Sequence, residues 1–134
     1  MKHAVAPAGP VRCPCGSGDT YVACCGRLHS GAARAATAEQ LMRSRYTAFV
    51  VADADYLLRT WHPSRRPASL ELDDDLRWVR LDVLDVVAGG FLDSTGEVEF
   101  EARWRRDGER GVQRERSRFV RRDGAWLYLD VVPG

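Results

Sequence analysis

The chain has no cysteine after Cys25, only one lysine, and almost no net charge: +1 from 20 basic and 19 acidic residues. So even a balance gives no global field to draw in nucleic acid or a membrane surface. No apolar run approaches membrane-spanning length, and the opening MKHAVAPAGPVR lacks the apolar centre of a secretory signal. A cytoplasmic location is therefore expected, and with it reduced thiols rather than disulfides. Also missing are a phosphate-binding loop, a metal-hydrolase spacing, a Ser–His–Asp order, internal repeats and low-complexity tracts. What remains suits one globular domain: 134 residues, 45% hydrophobic, with four each of Trp, Tyr and Phe. That is enough for one core plus an appendage too short to fold on apolar burial alone.

All four cysteines fall in CPCGSGDTYVACCG, residues 13–26, with the spacing C-x-C-x8-C-C. Thiolates at Cys13 and Cys15 can converge on one ion if the chain turns tightly after them, and Gly16 and Gly18 supply that turn. Asp19 can then cap a short helical turn that brings Cys24 and Cys25 back to the first pair. Four soft thiolates with tetrahedral reach suit a structural Zn²⁺. Ser17 is placed to donate a hydrogen bond to one of them. Other readings fit less well. A core segment would not carry a proline and two glycines among its cysteines, a Cys24–Cys25 disulfide is strained, and a C-x-C redox pair does not need the second pair.

These residues resemble the SEC-C motif, the zinc-binding segment at the C-terminus of the SecA translocation ATPase and in many small bacterial proteins. Its pattern, C-x-C-x-S-x6-C followed by His or Cys, is filled here by Cys13, Cys15, Ser17, Cys24 and Cys25. His29 stands as a spare fourth ligand should Cys25 point away.

Beyond the cluster, residues 28–36 (LHSGAARAA) are small and aperiodic and read as a linker. Thr37 and Gln40 have capping-box spacing, which predicts a helix to about Ala52 with Leu41, Met42, Tyr46, Phe49 and Val50 on its apolar face. Asp53 or Asp55 can cap a second short helix ending near Trp61, before Pro63. From Leu76 the period changes to two. Strands are expected over 76–87, 96–106, 113–122 and 125–132, with Asp107-Gly108 and Asp123-Gly124 as turns. Between Glu101 and Arg122 nine arginines face four acids, but Glu97, Glu99, Glu101, Glu109 and Glu115 interleave with them. Paired strands of this kind neutralise one another, which argues against a nucleic-acid groove.

Helices followed by an antiparallel meander give an α+β plan with the helices on one sheet face. The run R-S-R-Y-T-A-F, then Y-L-L-R-T-W-H-P, V-E-F-E-A-R-W, E-R-S-R-F and W-L-Y-L-D resembles the YchJ family of bacterial proteins over nearly the whole chain. That resemblance implies an NTF2-like cone over residues 31–134 behind a SEC-C knuckle in residues 1–30. Many members carry a second, C-terminal SEC-C motif, and no cysteine is available here for one. On apolar content alone, the body is expected to fold without the first thirty residues, and the knuckle to order only around its metal.

A cone of this type encloses a pocket. Its candidate lining is Tyr46, Trp61, His62, Glu115, Trp126, Tyr128 and Asp130. The aromatics would hold a flat or apolar ligand, and His62, Glu115, Tyr128 and Asp130 would supply acid–base or hydrogen-bonding groups. Capping, packing and solvated cross-strand ion pairs are the competing structural roles for the same residues. The leading expectation is a zinc-stabilised adaptor that binds a protein partner. By resemblance this would be a translocation, chaperone or ribosome component. The alternative is a small-molecule-binding or enzymatic body with purely structural zinc. A homodimer is compatible with either.

Overall fold

The computed structural model describes residues 11–133, so the first ten residues of the expected N-terminal segment lie outside the described residues. A single turn of 3-10 helix, Tyr21–Ala23, leads into α1 (Cys25–His29), followed by α2 (Ala38–Val50) and α3 (Ala54–Arg59). Four strands follow: β1 (Arg77–Ala88), β2 (Thr95–Arg106), β3 (Glu109–Arg122) and β4 (Ala125–Val131). They form one antiparallel meander in the order β1-β2-β3-β4. No helix among the described residues is long and apolar enough to cross a membrane.

Helix α2 starts where its cap residues place it. The Thr37 side chain accepts from Gln40 N at 3.0 Å, while Gln40 Oε1 reaches back to Ala36 N at 2.6 Å, one residue before the usual capping-box target. Thr37→Ala removes the acceptor for an N-terminal amide and should cost about 1 kcal/mol in urea denaturation. No change in the midpoint would mean that tertiary packing alone holds this helix end. At α3 the capping residue is Asp53, whose carboxylate accepts from Tyr56 N at 3.1 Å.

The helix lies across one face of the sheet. Its Ala38, Leu41, Met42 and Tyr46 pack with Leu81, Val98, Ala102, Phe119 and Trp126. Phe49 and Val50, expected on the same apolar face, are each a little over a third exposed and lie outside the buried core cluster. Phe49 packs against the Trp78 ring at 6.1 Å. The opposite sheet face is charged. Arg116 on β3 reaches Asp85 at 2.6 Å, Glu99 at 2.9 Å and Glu97 at 3.3 Å, so one guanidinium ties three strands together.

Both Asp-Gly pairs form two-residue hairpins, with positive φ at Asp107, Gly108, Asp123 and Gly124. The first turn is tight enough for pairing to resume at once, so β3 begins at Glu109 and not at Gln113 as the alternation suggests. Gly111 in that early stretch has no side chain because Trp104 lies over it: a Cβ there would come 2.4 Å from the indole. The β1–β2 pairing slips twice, between Trp78 and Arg80 and between Val83 and Asp85, leaving Val79 and Leu84 as bulged residues. Such bulges bend a strand and increase its twist.

Residues 28–36 do not form a free linker. Leu28 is buried with Ala48, Tyr56 and Leu57, and Ala33 and Ala35 pack at its margin. The small residues let the chain lie close against α2 and α3.

Candidate metal centre

The cysteine segment folds into a closed knuckle. Cys13 N donates to Asp19 O at 2.8 Å and Gly16 N to Cys13 O at 3.2 Å, with Gly16 and Gly18 at φ +83° and +92°. These left-handed positions make the reversal that the sequence requires. The following helical turn then carries Cys24 and Cys25 back. The four Sγ atoms lie within 4.8 Å of one another, with Cys15–Cys24 at 3.6 Å and Cys24–Cys25 at 4.0 Å. Four sulfurs about 2.3 Å from a tetrahedral ion stand about 3.8 Å apart, so the donor set fits such an ion with small adjustments. Cys13, Cys15 and Cys25 are buried and Cys24 is partly so.

The surroundings favour negative charge on sulfur. Ser17 Oγ donates to Cys24 Sγ at 3.2 Å and is itself fixed by Asp19 N at 3.2 Å. Arg43 Nη1 donates to the Cys15 carbonyl at 2.6 Å, held by Glu39 at 2.9 Å, and so brings a cation to the edge of the cluster. Without a cation the thiols of Cys13, Cys15 and Cys25 compete. Hydrogen bonds from Cys15 and then Cys25 hold the Cys13 thiol far below its ordinary range. The same contacts to Cys13 raise Cys15 to about 11 and push Cys25 well above the ordinary thiol range. The Cys13 thiolate therefore forms readily, while Cys15 and Cys25 require an ion to become ligands.

His29 is engaged elsewhere. Its Nε2 donates to the Ser44 carbonyl at 2.8 Å, which fixes the Nε2–H tautomer, and its Nδ1 accepts from the Tyr21 hydroxyl at 2.8 Å. The ring stacks at 4.5 Å on Tyr56, whose hydroxyl meets Ser44 Oγ at 2.6 Å. On the same side of α2, Thr47 Oγ1 lies 3.9 Å from Cys13 Sγ. Sequence reasoning did not single out Arg43, Ser44 or Thr47. Their signal is a set of polar residues at helical spacing in R-S-R-Y-T, opposite the apolar face.

A second concavity lies between α2 and the sheet, with a volume of about 280 Å³. Tyr46, Trp61, Glu115 and Tyr128 line it, as the candidate pocket set has them. His62, Trp126 and Asp130 are not among its lining residues, and each has a structural reason. His62 Nδ1 accepts from Ser64 N at 3.1 Å in a surface turn, while its backbone N–H donates to Tyr128 O at 2.8 Å. Trp126 is buried in the core with Nε1 donating to Ala36 O at 3.2 Å. Asp130 is held by Arg118 through two hydrogen bonds of 2.6 Å, which keep its carboxyl below the usual range. The four groups expected to act as an acid–base set are therefore not assembled. Besides Glu115, the cavity holds a second charged residue, Arg45, absent from that set.

Comparison with known proteins gives a consistent result. Residues 37–131 match the family described as YchJ, middle NTF2-like domain, and residues 12–27 match the SEC-C motif. A UPF0225 protein of Streptomyces coelicolor is 56% identical over 118 residues, covering 88% of this chain and 92% of that protein. One from Corynebacterium efficiens is 52% identical over 118 residues, covering 88% of this chain and 90% of its own length. The solution structure of a SEC-C motif containing protein from Rhodopseudomonas palustris aligns with a TM-score of 0.80 at 37% identity, covering 92% of this chain and 99% of that one. The crystal structure of a sec-c motif containing protein from Psychrobacter arcticus aligns with a TM-score of 0.72 at 27% identity, covering 91% and 83%.

Proposed function

This chain belongs to the YchJ family of UPF0225 proteins, an NTF2-like domain preceded by a SEC-C motif, and from that premise we propose that it is an adaptor whose knuckle is set by a structural Zn²⁺. The observation that carries the metal is the convergence of Cys13, Cys15, Cys24 and Cys25 within 4.8 Å. Four thiolates leave no open coordination position and select a soft, redox-inert ion, so the zinc has a structural task and no catalytic one. Ser17 and Arg43 temper the excess negative charge that four sulfurs give the site.

The support for a protein partner is the apolar surface around the knuckle. Val22 is 63% exposed on the turn between the cysteine pairs, and Phe91 and Leu92 at the β1–β2 hairpin are 71% and 95% exposed. Phe91 also borders the cleft that Cys15, Cys24, Cys25 and Arg43 line. Large apolar side chains this exposed, beside a rigid metal site, suit a contact surface. By resemblance to other SEC-C modules, the partner is a translocation, chaperone or ribosome component.

Metal analysis of the purified chain should find one zinc per chain. Affinity capture should recover a common partner with the wild type and lose it in a Phe91→Ser, Leu92→Ser double variant that keeps its zinc and its melting temperature. Identical proteins captured by both, or a folded chain without metal, would sink the adaptor reading.

A further inference from the structure

Arg45 stands on α2 with 7% of its surface exposed and, among the described residues, no carboxylate within ion-pair distance. One nitrogen, Nη1, donates to the Leu57 carbonyl and to Thr60 Oγ1, both at 2.7 Å. The guanidinium lies over the rings of Tyr128 at 4.7 Å and Trp61 at 5.4 Å. Its Nε and Nη2 donors have no acceptor among the described residues. Burial lowers its pKa only to about 10, so it stays a cation at neutral pH. The donors it leaves free are not sealed from the cavity, and Glu115 acts on the guanidinium only through space, beyond ion-pair distance.

Three more donors share this wall. The Trp61 indole Nε1 is buried without a hydrogen-bond partner. The hydroxyls of Tyr46 and Tyr128 have none among the described residues. Burial raises both phenols, Tyr46 to about 12, so each keeps its proton and can donate. All four residues line the 280 Å³ cavity, whose other walls are largely aromatic and aliphatic. The acceptor on the wall, Glu115, is already occupied: Gln113 Nε2 donates to it at 2.5 Å and Ser117 Oγ at 3.3 Å. Its carboxylate lines the cavity opposite the cation and disfavours a second negative charge on any ligand that Arg45 holds.

We propose that this cavity is a binding site for a small amphipathic monocarboxylate, with an aromatic or branched apolar body, whose carboxylate is held by Arg45 together with the Trp61 and Tyr128 donors. The volume sits at the small end of ligand sites, near 300 Å³, which fits a one-ring acid better than a nucleotide or lipid. Glu115 sets the charge preference, rejecting phosphate esters that carry two negative charges. The site is independent of the knuckle and of the adaptor reading.

The test titrates the full-length, zinc-loaded protein with benzoate and 3-phenylpropanoate, with benzamide as the uncharged isostere and phenyl phosphate as the dianion. The readout is the set of indole N–H resonances, with Trp61→Phe identifying that of Trp61. The acids should shift the Trp61 signal saturably and bind about tenfold or more tightly than benzamide or phenyl phosphate, as charge-assisted hydrogen bonds require. Trp61→Phe should weaken benzoate without lowering the melting temperature, and Glu115→Gln should admit phenyl phosphate. Arg45→Met should abolish acid binding. If that variant does not fold, the isostere comparison and the other two variants still decide. Equal affinity for benzoate and benzamide, or no carboxylate reaching the Trp61 signal at millimolar concentration, overturns the proposal.

Discussion

Cys25→Ser should abolish metal binding and lower the melting temperature of the whole chain, not only that of the knuckle. Cys25 is buried at the centre of the cluster and begins α1, the element that delivers Leu28 and His29 to the body. A structural zinc contributes roughly 10–16 kcal/mol to folding in isolated finger peptides. Part of that stabilisation is replaced here by packing, so a loss of about 4 kcal/mol is the expected remainder, or roughly 15 °C in a domain of this size. Without the ion the Cys13 thiol is held low while Cys15 and Cys25 are pushed up, so these thiols no longer share one charge state around a common centre. Circular dichroism melts with parallel metal analysis measure both effects. A zinc-free variant that melts with the wild type would show that the knuckle folds on packing alone.

Removing residues 1–30 should unfold the body or leave it aggregating. Apolar content alone suggests the reverse, because the segment holds few large side chains. The contacts argue for the loss. Leu28 leaves a hole among Ala48, Tyr56 and Leu57, and large-to-small changes at such sites cost about 2–5 kcal/mol. His29 leaves the Tyr21 hydroxyl and the Ser44 carbonyl, and Arg59 loses its bond to the His29 carbonyl at 2.6 Å. Arg43 loses the Cys15 carbonyl, and the buried Thr47 is laid open to water. Together these approach the whole stability of an ordinary domain, roughly 5–15 kcal/mol. Leu28→Ala in the intact chain is the milder companion, expected to cost about 3 kcal/mol. A truncated body that melts cooperatively at the full-length temperature would show these contacts to be incidental.

The sequence carried the parts of this molecule that depend on local rules. The cysteine spacing, the Ser17 hydrogen bond, the Thr37 cap and the two Asp-Gly hairpins all follow from chemistry within a few residues, and each is where the residues indicate. Features that depend on distant contacts were hidden. Leu28 and His29 look like linker residues until α2 and α3 lie beside them. Arg45 looks like a surface arginine on a helix, because nothing local marks the difference between solvent and a cavity wall. The alternation of Trp126, Tyr128 and Asp130 places them on one strand face, yet the register shift between Arg118 and Phe119 brings Arg118 opposite Asp130. That pairing draws the carboxylate into an ion pair instead of the pocket.

The two slips in the β1–β2 pairing have a further effect, on how the protein behaves among its own copies. In a meander of four strands, β1 and β4 each present a row of unpaired amides and carbonyls, which another chain's strand can recruit. The β4 edge is partly occupied by the chain itself: Tyr128 N donates to Thr60 O and His62 N to Tyr128 O, both at 2.8 Å. Among the described residues nothing of that kind covers β1, whose Val79, Val86 and Val87 are exposed and of high strand propensity. There the bulges at Val79 and Leu84 take over the protective role, because a straight incoming strand cannot match a ladder that skips a residue twice. Restoring regular register by deleting both Val79 and Leu84 would give a flatter, stickier border, and the resulting protein should polymerise on warming more readily than the natural chain.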